Sequence, residues 1–236
     1  MMARFILNKW MMAIGLTFSA VTMTAVAQPQ IGAEAAQQIQ IQYAQYDGLK
    51  IYKKPSLAGD VLGDYTLNNS VLVIRSYNSQ FYEVKYETGK AYVEKIYVSK
   101  TPYFVQALLV KVPSYDTLNV RKGPGISYGK LGTLKNNAPL YITSTENAGN
   151  WIQVWYKGSF GYVHKAYTKT PPLYVVKVAS NDTLNVRTGP GVQYERFGAL
   201  YPQDTVQVLQ KTTAKWYEVY HRGQIGYVSA AYIVKK

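Results

Sequence analysis

Leu118-Asn119-Val120-Arg121-Lys122-Gly123-Pro124-Gly125 is repeated, with one change, as Leu184-Asn185-Val186-Arg187-Thr188-Gly189-Pro190-Gly191. A worn third copy begins at Leu49. The three copies stay in register well beyond these eight residues. Fourteen residues after each leading Leu stands a Gly: Gly63, Gly132 and Gly198. A large aromatic follows at Phe81, Trp151 and Trp216, then a Tyr eleven residues on, at Tyr92, Tyr162 and Tyr227. Another Tyr stands five beyond that, at Tyr97, Tyr167 and Tyr232, and an Asp lies two before each Leu, at Asp47, Asp116 and Asp182. The leading leucines are 69 and 66 residues apart, so the unit is a small domain rather than a solenoid turn.

Inside each unit the pattern is that of strands. Val, Tyr, Thr and Ile abound, and apolar spacing of helical period is missing. In Leu184-Asn185-Val186-Arg187 the apolar and polar residues alternate, so Leu and Val share one face and Asn and Arg the other. Gly189-Pro190-Gly191 breaks the run. Phe197 to Leu200 resumes it, with Gly198 expected at a bulge or a close approach. Val176 to Val178 opens the unit and Val206 to Val208 adds a central strand. Trp216 to Tyr220 then forms a hairpin with Ile225 to Val228 across Arg222-Gly223-Gln224. The second unit gives Ala138 to Ile142, Trp151 to Tyr156 and Phe160 to Val163, with a turn at Lys157-Gly158-Ser159. Five or six short strands in roughly 60 residues suit a small closed barrel better than a sandwich.

The two later units resemble the bacterial SH3 (SH3b) domain family. The resemblance rests on Leu-Asn-Val-Arg-x-Gly-Pro-Gly, on the Tyr that follows (Tyr128, Tyr194), and on Leu-Gly-Thr-Leu at 131–134 or Phe-Gly-Ala-Leu at 197–200. A Trp opening the last hairpin and a Gly-Tyr-Val followed by Ala-Tyr complete it. The first unit is similar to a divergent copy: Leu49-Lys50-Ile51-Tyr52-Lys53-Lys54-Pro55-Ser56 lacks the Asn, the Arg and the glycines. The expected fold class is all-β, with three tandem SH3-like barrels at 39–100, 104–169 and 173–236. Thr101-Pro102 and Thr170-Pro171-Pro172 favour short, stiff connections, giving a bent rod without a shared core.

The N-terminus reads differently. Arg4 and Lys9 precede an uncharged apolar run, Met11 to Ala27, that ends in Ala25-Val26-Ala27. This is the pattern of a secretory signal peptide over 1–27, followed by a Gln/Ala-rich lead-in at 28–38. Cleavage would leave no membrane anchor. The chain has no Cys, which fits bacterial export better than a disulfide-stapled animal module and removes thiol chemistry. Net charge is +13, with eight basic and two acidic residues in 104–169. Such a surface collects polyanions, or simply keeps the protein soluble.

Signs of catalysis are few. Two His are too few for the usual zinc-hydrolase ligand set. His164 and His221 stand where the sister units have other residues, so both read as surface substitutions. No carboxylate pair stands out. No catalytic residue, metal or cofactor is expected, and with export no nucleic-acid partner.

Recognition remains. SH3 barrels of the peptide-binding kind use an aromatic-lined groove, and that geometry implies Trp151, Tyr167, Trp216 and Tyr232 along it. Tyr128 and Tyr194 would form the opposite wall. Arg121 and Arg187 would meet a carboxylate, or hold loop carbonyls and the neighbouring Asp116 and Asp182. Asn119 and Asn185 are expected to cap the loop, the Asp residues to form turns, and Tyr162 and Tyr227 to lie in the core. The expected function is a secreted, non-catalytic, cell-wall-associated protein that binds peptidoglycan peptides or associated anionic polymers. Two alternatives stand beside it: an adaptor for extended segments of another exported protein, and a wall hydrolase.

Overall fold

The structure, a computed structural model, describes residues 38–236. The expected signal peptide, and all but the last residue of the lead-in, lie outside the described residues. The first barrel contains β1 (Gln40–Ala44), β2 (Leu49–Tyr52), β3 (Val61–Tyr65), β4 (Ser70–Ser76), β5 (Phe81–Tyr86), β6 (Gly89–Glu94) and β7 (Val98–Ser99). The second contains β8 (Gln106–Val110), β9 (Thr117–Arg121), β10 (Lys130–Lys135), β11 (Pro139–Ile142), β12 (Trp151–Tyr156), β13 (Ser159–His164) and β14 (Thr168–Lys169). The third contains β15 (Leu173–Val176), β16 (Leu184–Arg187), β17 (Arg196–Leu200), β18 (Thr205–Lys211), β19 (Trp216–His221), β20 (Gln224–Ser229) and β21 (Ile233–Lys235). Each is a seven-stranded antiparallel sheet. The orders are β3-β2-β6-β5-β4-β1-β7, β10-β9-β13-β12-β11-β8-β14 and β17-β16-β20-β19-β18-β15-β21, one topology three times. A single 3-10 turn (Lys95–Tyr97, Lys165–Tyr167, Ala230–Tyr232) precedes each last strand.

Period-two alternation fills each core. Val120, Val154 and Val163 occupy the centre of the second barrel, and Val186, Val219 and Val228 the same places in the third. Ile51, Val84 and Val93 do so in the first. Burying a side chain of this size is worth about 1.5–3 kcal/mol. Alternation also corrects one expectation: Tyr162 and Tyr227 neighbour the core valines in sequence, so their rings fall on the opposite face, half-buried.

The conserved spacing to Gly63, Gly132 and Gly198 marks a bulge, as expected. Register shifts by one residue beside each of them, leaving Leu62, Leu131 and Phe197 as the extra residue. The bulge brings the glycine under the end of β5, β12 or β19. A methyl group on Gly132 would collide with the Tyr156 hydroxyl, and one on Gly198 would lie 2.8 Å from His221 Nε2. Thus His221 is no surface substitution. It occupies the inward position that Tyr86 and Tyr156 hold in the sister barrels, is buried, and leaves Nε2 without a partner. The last hairpins of the second and third barrels turn on Lys157-Gly158 and Arg222-Gly223, all four at positive φ, the two-residue turn that matches strand twist.

The third barrel opens three residues earlier than the expected Val176 to Val178. Leu173, Tyr174 and Val175 pair with Gln207, Val206 and Thr205, because the two prolines deliver an extended chain straight into the sheet.

Stiff connections alone would space the barrels along a rod. Instead the barrels touch. Asn68 of the first barrel donates to the carbonyls of Tyr103 (2.9 Å) and Thr143 (2.8 Å) and accepts from the Tyr103 amide (2.7 Å). Tyr43 sets its ring edge-on to Trp155 and Phe160. Phe104 donates through its amide to Gly223 O, and its own carbonyl accepts from Tyr220 Oη, both at 2.8 Å. Leu109 and Leu209 form a small apolar cluster between the second and third barrels. Beside it Tyr141 donates to buried Glu218 at 2.7 Å. Burial, with the Glu218 charge next to it, raises the Tyr141 pKa well above the ordinary phenol value. Each barrel keeps its own core, and the 101–105 connection touches all three.

Candidate ligand-binding grooves

In the second barrel the loop after β8, strand β9, the start of β12 and the 3-10 turn surround a cleft of about 440 Å³. Trp151, His164 and Tyr167 line one side. Asn119 and Arg121 project from the outward face of β9, because Leu118 and Val120 take the inward one. Asp116 and Ile126 complete the rim. The third barrel repeats the cleft at about 230 Å³, lined by Trp216, Ser229, Tyr232, Asn185, Arg187, Asp182 and Val192.

The aromatic side is built by pairing. Trp151 lies directly across the hairpin from His164, their rings edge-on at 5.4 Å. His164 Nδ1 accepts the Ala166 amide at the start of the 3-10 turn, and that turn presents Tyr167 5.7 Å from the imidazole. A continuous Trp–His–Tyr wall results. In the third barrel Ser229 faces Trp216, so that wall has a gap.

Each arginine is anchored on one nitrogen. Arg121 donates to Tyr128 O and Arg187 to Tyr194 O, both at 2.8 Å. This is the loop-carbonyl role; the remaining guanidinium donors border the groove. Asp116 and Asp182 accept the amides of Thr117 and Thr183, a turn role at the edge of the same cleft. Asn119 and Asn185 line the clefts as well.

Residues 116–169 and 182–234 each match the family described as the bacterial SH3 domain. Both segments are bacterial SH3 domains. The first barrel lies outside the matched residues and has the same strand order. Half of the chain is 30% identical, over 127 residues, to a putative N-acetylmuramoyl-L-alanine amidase of Bacillus subtilis. The chain spans about a quarter (24%) of that relative's length. Two solved structures from Trichomonas vaginalis, NlpC2 and NlpC1, are 11% and 10% identical over 84% and 86% of this chain, covering 97% and 96% of theirs. Their TM-score of 0.28 is too low for the likeness to bear on fold or function.

The two SH3 barrels therefore bring Arg121, Trp151 and Tyr167 together in one groove, and Arg187, Trp216 and Tyr232 in the other. They do not bring in Tyr128 and Tyr194. Those rings lie flat against Gly123 and Gly189, where any Cβ would overlap them, and the facing rim is made by Ile126 and Val192 instead. The Gly-Pro-Gly turn thus seats the tyrosine that follows it, and the arginine ties that tyrosine's carbonyl down. His164 is the groove residue that the sequence reading missed. Its signal was its place opposite Trp151 in the hairpin.

The first SH3-like barrel departs at the same place. Tyr52 stands where Arg121 and Arg187 stand. It is buried edge-on against Phe81, the counterpart of the tryptophans, at 5.9 Å. The first barrel thus has a packed ring at the position from which the arginines border the sister grooves. Among the described residues, no group of three or more His, Asp or Glu side chains could hold a metal ion.

Proposed function

We propose that this is a secreted, non-catalytic bacterial protein that binds peptidoglycan peptides through the grooves of its second and third barrels. The observation that carries the reading is the recurrence of one groove, with Trp, Tyr, Arg, Asn and Asp at matched positions, in two SH3 domains. An extended peptide lays its backbone and apolar carbons on the rings, which offer large area at small entropic cost. A free carboxylate on the peptide meets the unoccupied donors of Arg121 or Arg187. The relative's name, a putative N-acetylmuramoyl-L-alanine amidase, supports wall material as the target and an extracytoplasmic location. It is a binding protein on this reading, since the matched segments are the groove-bearing barrels. Shallow, half-open sites bind weakly one at a time, and tandem copies raise the effective concentration.

The test is a pull-down on purified peptidoglycan stripped of anionic polymer, at low and high salt. Retention at high salt that falls on Trp151→Ala/Trp216→Ala supports groove recognition. No retention under any condition overturns the wall reading and leaves the adaptor for another exported protein. Release of soluble wall fragments during incubation would instead make the protein a hydrolase.

A further inference from the structure

A third concavity lies away from both grooves, where the second barrel meets the third. It is a cleft of about 580 Å³ bounded by the end of β14, the Thr170-Pro171-Pro172 connection, and strands β15, β18, β19 and β21. Three lysines line it: Lys169, Lys211 and Lys235. Tyr174 and Tyr217 form its floor, their ring centroids 5.5 Å apart and tilted by 51°. Lys235 is the cross-strand partner of Tyr174, and Lys211 that of Tyr217, so each tyrosine of the floor is paired in register with a lysine. Among the described residues no Asp or Glu lines this cleft.

The contrast with the grooves is electrostatic. Each groove sets one arginine against one aspartate and has no net charge to offer. The cleft sets three cations against none. Bringing like charges together costs free energy in the absence of a counter-charge, so the arrangement favours an anion bridging several of them. Lysine meets an anion as a point charge with three rotatable donors, and phosphate is among the groups it binds in this way. A polymer with successive phosphates offers an anion to each of the three ammonium groups. The tilted tyrosine rings beneath offer apolar faces to the carbons between them.

We infer that this cleft binds a phosphodiester polymer of polyol or sugar units, at a site separate from the peptide grooves. The choice of polyol phosphate over nucleic acid rests on the export reading above; the cleft itself does not. Because the cleft is formed by two barrels and the proline connection, it exists only while the second and third barrels are docked.

The experiment measures fluorescence anisotropy of labelled poly(glycerol phosphate) with the purified protein at low and physiological salt. Lys169→Gln/Lys211→Gln/Lys235→Gln is expected to weaken binding about tenfold or more and to flatten the salt dependence. A control with the same loss of charge, Lys50→Gln/Lys53→Gln/Lys100→Gln in the first barrel, is expected to change it little. The three lysines are surface residues, and unchanged melting temperatures establish that both variants fold. Binding of stripped peptidoglycan should survive the cleft variant and be lost in Trp151→Ala/Trp216→Ala. Equal weakening by the two lysine triples would show general charge attraction and overturn the site. Undiminished binding by the cleft triple would overturn it directly. Polygalacturonate or oligothymidylate binding as tightly as the phosphodiester, with the same dependence on the three lysines, would overturn the assigned ligand chemistry. Failure of the wild-type protein to bind stripped peptidoglycan would count against the groove reading alone.

Discussion

His221 shows how one substitution in a repeat changes the chemistry of a core. In the sister barrels the inward place at the end of the hairpin belongs to a tyrosine packed over the bulge glycine. Here an imidazole sits in it, with Phe197 6.2 Å away and Nε2 unpaired. Burial lowers its pKa below the ordinary value, Arg222 adds to the effect, and Asp204 opposes it. The unfolded chain therefore takes up a proton more readily than the folded one as pH falls through about 6.5. Stability from this site is complete above that value and declines below it, down through the folded pKa. The melting temperature of the third barrel is expected to drop between pH 7.5 and pH 5, and His221→Tyr to remove much of that drop. An equal decline in the substituted protein would place the effect elsewhere. On the ligand side, Trp151→Ala removes the ring that packs against His164 and that a peptide bound as proposed would contact. A loss of about tenfold in peptide affinity at that groove is expected, read by titrating a soluble stem peptide. Tyr52→Ala in the first barrel is expected to have no such effect, since that ring packs against Phe81 within its own barrel.

At the scale of the strand, the bulge opposite β9 is the test of what the spacing meant. Gly132→Ala would drive a methyl group into the Tyr156 hydroxyl, which is buried and cannot swing away. A cost of about 1–3 kcal/mol is expected, by denaturant unfolding, and Tyr156→Phe in the same chain should recover part of it. Gly198→Ala meets only the edge of an imidazole, at 2.8 Å, and should cost less. This much of the fold was legible: the leucine and valine alternation, the glycine offset, the hairpin turns and the ring positions all survive three-fold comparison. What escaped had two causes. Tyr162, Tyr227 and His221 were read by residue type, tyrosine as core and histidine as surface, when strand parity with Val163, Val228 and Val219 places each on the other face. The Glu218 contact escaped because its partner, Tyr141, belongs to a different barrel. No local pattern announces a contact between residues 77 apart. The grooves were half legible for the same reason: rings on regular strands could be placed, whereas the facing rim is loop, and Ile126 and Val192 took the place given to Tyr128 and Tyr194.

For the molecule as a whole, the question is whether the two grooves act as one site on a polymer or as two independent ones. The contacts argue for a fixed relation between them. Phe104, Tyr220, Tyr141 and Glu218 bond the second barrel to the third, and the apolar cluster of Leu109 and Leu209 closes the seam. Asn68 ties the first barrel to the same junction. Asn68→Gly keeps the left-handed backbone at φ 62 and deletes only the side chain. It should cost about 1–3 kcal/mol for the lost buried bonds and make the 95–105 segment more susceptible to protease, leaving peptide binding untouched. Docking fixes the separation of the grooves, so a wall polymer whose peptides recur at a matching interval can occupy both. The second encounter is then intramolecular, and avidity exceeds either single affinity by roughly 10²–10⁴. Trp151→Ala alone and Trp216→Ala alone should each remove most of that gain on insoluble peptidoglycan. On a soluble monovalent stem peptide each should remove only its own site and leave the other's affinity intact. Glu218→Gln/Tyr141→Phe, which loosens the seam and spares both grooves, should lower retention on the polymer without changing affinity for the peptide. If instead each single tryptophan variant halves retention on the polymer, the grooves bind independently and the docking of the barrels serves stability rather than recognition.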